Sequence, residues 1–387
     1  MEDLCRELQL SEGIQITKQS LQERFNESAS NFMKKMVEHA LSRKLQLNGQ
    51  SIACSFSRIV INDSTVFQLP AEYSDKYTGC GGGASQAGIK NQYCYDLLTQ
   101  DIIDITVQKA VIPDCQYALQ DLRPNDLRVE DLGYFRIEKF RIIEKAHAYF
   151  LSRLKFGVNI FELKDGRYEQ LDLLQFIQNM QEGELINKPV YIGKKEKVPV
   201  RLVLERVPDQ TANEKRRKLT TDKQNKRKGI SKDRLAFCNV NAFITNCTEE
   251  QLPNQLVQQC YSLRWQIEII FKAWKSFFKI DKVKQMKIER FECLHYGCLM
   301  LIITSTNLLR YFKQINLLKH HKEVSELKFF KLVSSIKQEL KEIMQKQNEV
   351  LDYFLNQLAD VIERTCMKEQ KKNKLKPLII IEKLCLT

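Results

Sequence analysis

The sequence predicts an α/β protein: a mixed sheet core, broken once by a β-rich insertion, with helical regions at both ends. Three observations predict it. Runs rich in β-branched residues gather between residues 56 and 161 and return near 240. That rhythm breaks from 162 to 236, where alternating strand candidates adjoin a very basic stretch. Helical spacing dominates before residue 55 and after about 260. Strands mixed with helices of this length are the signature of a layered α/β domain.

The N-terminus, MEDLCRELQLSEG, starts acidic and lacks an apolar run, so it is not a signal peptide. KQSLQERF reads as a short helix. Asn26 is placed to cap a second helix through ESASNFMKKMVEHALSR, where Ala29, Phe32, Met33, Met36 and Ala40 share one face. Two short helices joined by a tight turn are a helix-turn-helix or a helical cap, and the letters allow both.

SRIVINDSTVFQLP ends at a proline and reads as a strand. GCGGGASQAG is a loop, and KNQYCYDLLT and DIIDITVQKA are two further strands. LRPNDLRVEDLGYF holds a turn, a short strand and a carboxylate. RIEKFRIIEKAHAYF is helical, and YFLSRLKFGVNIFEL reads as one strand. KPVYIGKKEKVPVRLVLERV alternates apolar and polar residues, as a half-buried strand pair does. Thr211 to Arg234 then carries ten Lys/Arg against three Asp/Glu and no apolar face, an exposed segment that is either a solvated charge run or a phosphate-tracking arm. FCNVNAFITN is a strand, and helices follow to about residue 370 before the basic tail KEQKKNKLK. CLMLIITSTNLL is too short and too polar to span a bilayer and reads as a buried helix.

The 387 residues carry 61 Lys+Arg against 48 Asp+Glu, a net +13 that points to a polyanionic partner, nucleic acid before membrane surface. The twelve cysteines are scattered. Cys293, His295 and Cys298 do not match a zinc-knuckle spacing, so reduced thiols of a cytosolic protein are expected.

The stretch YSLRWQIEIIFKAWKSFFKI, Tyr261 to Ile280, mixes aromatics and charges. On a helical period, Leu263, Ile267, Ile270, Trp274 and Phe277 form an apolar side. Tyr261, Arg264, Glu268, Lys272 and Lys275 form a stripe on another side. On geometry alone, a solvated face held by Arg–Glu and Glu–Lys pairs accounts for that stripe.

The stripe has a stricter form: Tyr261, two residues, Arg264, three residues, Glu268, six residues, Lys275. It resembles the Y-R-E-K signature of bacterial insertion-sequence transposases with a DDE triad, in the Bacillus-type branch. INDSTVFQLP resembles that family's first-aspartate strand and nominates Asp63, while VEDLGYF resembles the second and nominates Asp131. AGIKNQYCYDL, AYFLSRLKF and AFITN follow the family's order, and the likeness spans about residues 5 to 310. Spacing by itself does not separate Asp131 from Asp126 or Glu130.

The resemblance implies a ribonuclease-H-like core with a β-rich insertion before the glutamate helix. The divisions expected are 1–55, a helical and shortened DNA-binding region; 56–161, the first part of the core; 162–236, the insertion; 237–310, the second part of the core; and 311–387, C-terminal helices. It implies Asp63, Asp131 and Glu268 as catalytic metal ligands for two Mg2+ ions, with Mn2+ as a substitute. Two hard cations about 4 Å apart suit in-line attack on a phosphodiester, and carboxylates suit such cations. Tyr261, Arg264, Lys272, Lys275 and Trp265 are the implied DNA contacts, with packing on the sheet as the competing place for Trp265. Trp274 belongs to the core.

The implied partners are double-stranded DNA, as terminal inverted repeats and target, and a second copy of the chain on paired ends, with no membrane. The implied reaction is cut-and-paste transposition, through a hairpin end in some relatives, in the bacterial cytoplasm at the nucleoid. Members usually carry more than the 62 residues found here before Asp63. A shortened, catalytically silent DNA-binding derivative that inhibits transposition is therefore the alternative.

Overall fold

The structure is a computed structural model that describes residues 1–43, 54–81, 84–225, 229–320, 322–344, 348–369 and 375–385. Parts of the glycine-rich loop, of the basic stretch and of KEQKKNKLK lie outside these.

Three helices open the chain: α1 (Glu2–Glu12), α2 (Lys18–Arg24) and α3 (Glu27–Ser42). Asn26 caps α3 as expected, its side chain accepting from the Ala29 N–H at 3.0 Å. Ala29, Met33, Met36 and Ala40 of the expected face are half-buried, and Met33 and Ala40 pack against the core, with one departure. Phe32 is 60% exposed, and Ser30 and Val37 face inward instead.

Strands β1 (Arg58–Leu69), β2 (Ala87–Asp96) and β3 (Ile102–Lys109) form an antiparallel meander. β4 (Asp126–Glu130) then returns parallel to β1, and after α4 (Ile137–Lys145), β5 (Tyr149–Arg153) lies parallel to β4. YFLSRLKFGVNIFEL is not one strand. It turns at Gly157, whose φ is +86°, and its second half is β6 (Ile160–Lys164), elsewhere in the sheet. β7 (Arg167–Gln170), α5 (Leu173–Gln178), β8 (Leu185–Ile192) and β9 (Val198–Arg206) complete the insertion's strands.

The described parts of the basic stretch are helical: α6 (Asp209–Asn225) and α7 (Lys232–Ala236). Its Lys, Arg and Gln residues are good helix formers. Ala212 is buried, and Lys215 Nζ donates to Val240 O at 3.2 Å and to Asn241 Oδ1 at 2.6 Å, which ties the helix down. β10 (Val240–Thr245) pairs with both β5 and β9. Among the described residues the insertion therefore extends the core sheet, in the order β3-β2-β1-β4-β5-β10-β9-β8-β6-β7.

The remaining helices are α8 (Asn254–Ser262), α9 (Trp265–Ser276), α10 (Ile288–His320), α11 (Glu326–Ser335), α12 (Lys337–Met344), α13 (Asn348–Thr365) and α14 (Pro377–Cys385). Tyr261 to Ile280 is thus broken between Ser262 and Trp265 instead of forming one helix. KEQKKNKLK is followed by α14, whose Ile380, Ile381 and Leu384 are buried. No helix among the described residues is long and apolar enough to cross a membrane.

Alternation along the strands feeds two cores. Leu151, Phe243 and Ile61 join the core under α8, α9 and α10, while Phe150, Ile244 and Leu202 join the one under α4 and α5. α3 packs on α10. Ser30 Oγ donates to Glu292 at 2.6 Å there, and Tyr77 and Lys76 reach the same carboxylate.

Candidate active site

The parallel pairing of β1 with β4 runs from Arg58–Asp126 to Asn62–Glu130. Asp63, still within β1, and Asp131, directly after β4, are the next residues along the chain. Two adjacent parallel strands thus present a carboxylate each just past the end of their shared ladder, where open α/β sheets form clefts. Asp63 does not end its strand, because β1 continues to Leu69 paired with β2. Asp131 caps a one-turn 3-10 helix, Leu132–Tyr134, and its side chain accepts from the Gly133 N–H at 3.4 Å.

The third carboxylate comes from α9. Leu263, Ile267, Ile270 and Trp274 are buried, so the apolar side expected of this stretch holds the helix on the sheet. Trp274 meets Tyr93 edge-on at 5.2 Å, and Tyr93 is the register partner of Asp63. That contact fixes the helix above the first aspartate. The break before α9 does not destroy the stripe. Tyr261, at the end of α8, and Arg264, at the start of α9, still face the cleft with Glu268.

Arg264 gathers the acids. Its Nη1 donates to Asp63 Oδ2 and its Nη2 to Glu268 Oε1, both at 2.8 Å, and its Nε stands 3.9 Å from Asp131 Oδ1. Tyr261 adds a hydroxyl 3.4 Å from Asp131 Oδ1. The structure thus brings together Asp63, Asp131, Glu268, Arg264 and Tyr261. An open cleft beside them is lined by Asp63, Ser64, Thr65, Glu268, Phe271, Lys272, Lys275 and Ser276. Lys272 and Lys275 are exposed there, and the Lys275 ammonium lies 5.5 Å from the Phe67 ring. Trp265 is 58% exposed and does not pack on the sheet, while Trp274 is fully buried.

Within direct contact, one guanidinium faces three carboxylates. Burial pushes the Asp63 carboxyl up to about 6, and the neighbouring Asp131 and Glu268 charges push the same way against Ser64 and Arg264. Burial would lower the Arg264 pKa, but Glu268, Asp63 and Asp131 together raise it. Burial and Asp131 hold the Tyr261 phenol up at about 12. The donor chemistry, three hard-oxygen carboxylates short of positive charge, fits a divalent cation. Their present spacing is set by Arg264. Among the described residues no three acidic, His or Cys side chains stand close enough to hold one ion as they are.

Arg153, at the end of β5, was not singled out from the sequence. Its guanidinium carbon lies 5.3 Å from the centre of the Tyr261 ring, which adds a cation to the same edge of the cleft. A basic residue closing a strand carries no mark of its own. Its place became visible once β5 was seen beside β4.

A family model described as a transposase DDE domain matches residues 55–304. The chain is 33% identical to the transposase for insertion sequence element IS1151 of Clostridium perfringens over 322 residues, 78% of this chain and 68% of that protein. It is 32% identical to the transposase for IS231F of Bacillus thuringiensis subsp. israelensis, over 81% of this chain and 70% of that one. With the transposase for IS231B of Bacillus thuringiensis subsp. berliner, identity is 30% over 95% and 81%.

Proposed function

Because the chain belongs to the transposase DDE-domain family, we propose that it is the transposase of an insertion sequence, cutting the ends of its element and joining them to target DNA. The observation that carries this reading is the convergence of Asp63, Asp131 and Glu268, from three distant parts of the chain, on Arg264.

In this proposal Asp63, Asp131 and Glu268 hold two divalent cations, Mg2+ or Mn2+. Bound there, such ions supply activation of the attacking oxygen and stabilisation of the leaving one. The chain's own residues do the rest. Arg264, released from the carboxylates, turns its planar fork to a phosphate, and Lys272, Lys275 and Arg153 add point charges along the backbone. Tyr261 donates its hydroxyl beside them, and exposed Trp265 offers a flat face to a base. A water oxygen, and later the freed 3′-hydroxyl, attacks phosphorus. The attacking oxygen gives up its proton to solvent as one P–O bond forms and the P–O bond to the leaving oxygen breaks, and the leaving oxygen takes up a proton. No covalent protein–DNA bond is needed. Two copies of the chain on paired ends complete the proposed complex, at the nucleoid of a bacterial cell.

The alternative, a silent derivative that inhibits transposition, is not favoured: the relatives are named transposases, and the acids and the cationic stripe are all present. The test is cleavage of DNA carrying the element's terminal inverted repeats, with Mg2+, by the protein and by Asp63→Asn. Cleavage by the unsubstituted protein alone supports the enzyme. Binding without cleavage by both would sink it.

A further inference from the structure

We infer that Asp114 is a positioning residue that sets the directions of Asp63 and Asp131 from behind the sheet, an inference that rests on the function proposed above. Strand alternation puts Asp63 on the face covered by α9 and Ser64 on the opposite face. Ser64 is the register partner of Gln92, and Lys90 lies two residues along on the same face. Over this back face sits Asp114, in the connection between β3 and β4.

One oxygen of Asp114 accepts three hydrogen bonds: from Ser64 Oγ at 2.8 Å, from Lys90 Nζ at 2.9 Å and from Gln92 Nε2 at 3.1 Å. Lys90 also donates to Ile112 O at 2.6 Å, which anchors the connection itself. Gln92 Oε1 accepts from the Tyr134 hydroxyl at 2.5 Å. Ser64 directly follows Asp63, and the Ser64 N–H holds Asp63 Oδ1 at 2.8 Å. Tyr134 ends the single turn that Asp131 caps. The chain Ser64–Asp114–Gln92–Tyr134 therefore clamps the backbone on the far side of each aspartate.

Gln92, Lys90 and Tyr134 are buried, so the Tyr134–Gln92 bond is little weakened by competing water, while the Asp114 carboxylate that gathers the other three is 29% exposed. Gly133 lies between the two carboxylates: a Cβ there would be in ordinary contact with both, 3.5 Å from Asp114 Oδ2 and 4.0 Å from Asp131 Oδ2. Outer groups that orient metal-binding carboxylates typically change affinity or activity by about 10–100-fold when removed.

The test uses the full chain and Mn2+, with binding read by electron paramagnetic resonance without DNA and cleavage read on repeat-end DNA. Asp114→Ala is expected to weaken Mn2+ binding by about tenfold and to slow cleavage by about 10–100-fold. Asp114→Asn keeps an oxygen for the three donors but loses the charge beside Lys90, and should fall between. Tyr134→Phe, which keeps the buried ring and removes one bond, should shift Mn2+ binding the same way by less, and so covers a failure of Asp114→Ala to fold. A merely structural brace would lower the melting temperature and leave Mn2+ affinity at 25 °C untouched in Asp114→Asn and Tyr134→Phe, and that result would overturn the inference. Failure of the unsubstituted protein to cut would overturn the proposed function alone, because the Mn2+ shifts are read separately.

Discussion

Replacing Asp63 by asparagine should abolish cutting and, with divalent cations chelated, make the protein more stable. Asp63 is 21% exposed and shares one guanidinium with two other acids. Its carboxyl is held at about 6 against an ordinary 3.8. The folded form therefore keeps its proton more readily than the unfolded chain. Its contribution to stability is greatest below the ordinary value, falls as pH rises towards 6, and stays low above. Roughly two pKa units at 1.36 kcal/mol each place the cost of the ionised group near 3 kcal/mol at pH 7.5.

Asparagine removes the charge and keeps an oxygen to accept the Ser64 N–H. Asp63→Asn should thus be more stable by about 1–3 kcal/mol in EDTA, a rise of a few degrees in melting temperature. Adding Mn2+ should raise the melting temperature of the unsubstituted protein more than that of the variant, because a ligand stabilises the form that binds it. Urea unfolding and thermal melts with and without Mn2+ measure both. A variant less stable than the parent in EDTA, or equal Mn2+ shifts in the two proteins, would refute the idea of an under-neutralised acidic cluster.

Three further outcomes are expected. Trp274→Ala should cost about 3–5 kcal/mol in urea unfolding because the ring is fully buried against Tyr93 and Phe271, whereas exposed Trp265→Ala should cost about 0.5 kcal/mol or less. Lys275→Ala and Lys272→Ala should each flatten the log–log salt dependence of repeat-DNA binding by about 0.9, the slope of one lost phosphate contact; unchanged slopes would remove them from the interface. Buried His295, 3.0 Å from Asn91 Oδ1, is held down at about 4 by burial. Its stabilising effect is complete above the ordinary 6.5 and is lost as pH falls towards 4. Stability should therefore drop by about 2 kcal/mol between pH 7 and 5 from this group, and His295→Asn should flatten that part of the urea-derived profile.

Much of the site was legible in the letters because its densest part is local. Tyr261, Glu268 and Lys275 lie on two short helices and Arg264 in the turn between them, and that break leaves the four on one side. The same is true of the Asn26 cap and of the strand around Asp63. Asp131 was separable from Asp126 and Glu130 only by resemblance. In the fold Asp126 is buried in a pair with Arg58 at 2.7 Å, Glu130 lies 3.3 Å from Lys139, and Asp131 is the one of the three beside Arg264. The basic stretch is exposed over most of its length, as expected, but its helical form could not be read, because a helix with no apolar stripe has no period to find. It is held by side-chain bonds to β10 and its flanks, and those partners are distant in sequence.

By itself the sequence determined what depends on neighbours a few residues apart: most of the strand and helix types, the cationic stripe, the alternation that sorts the strands between two cores. Tertiary structure alone decided which strands lie side by side, that the insertion lengthens the core sheet, and that Asp114 and Arg153 stand beside groups far from them in the chain. The reason is that strand pairing and charge compensation act across space, while residue periodicity records only which way each side chain leaves its own backbone.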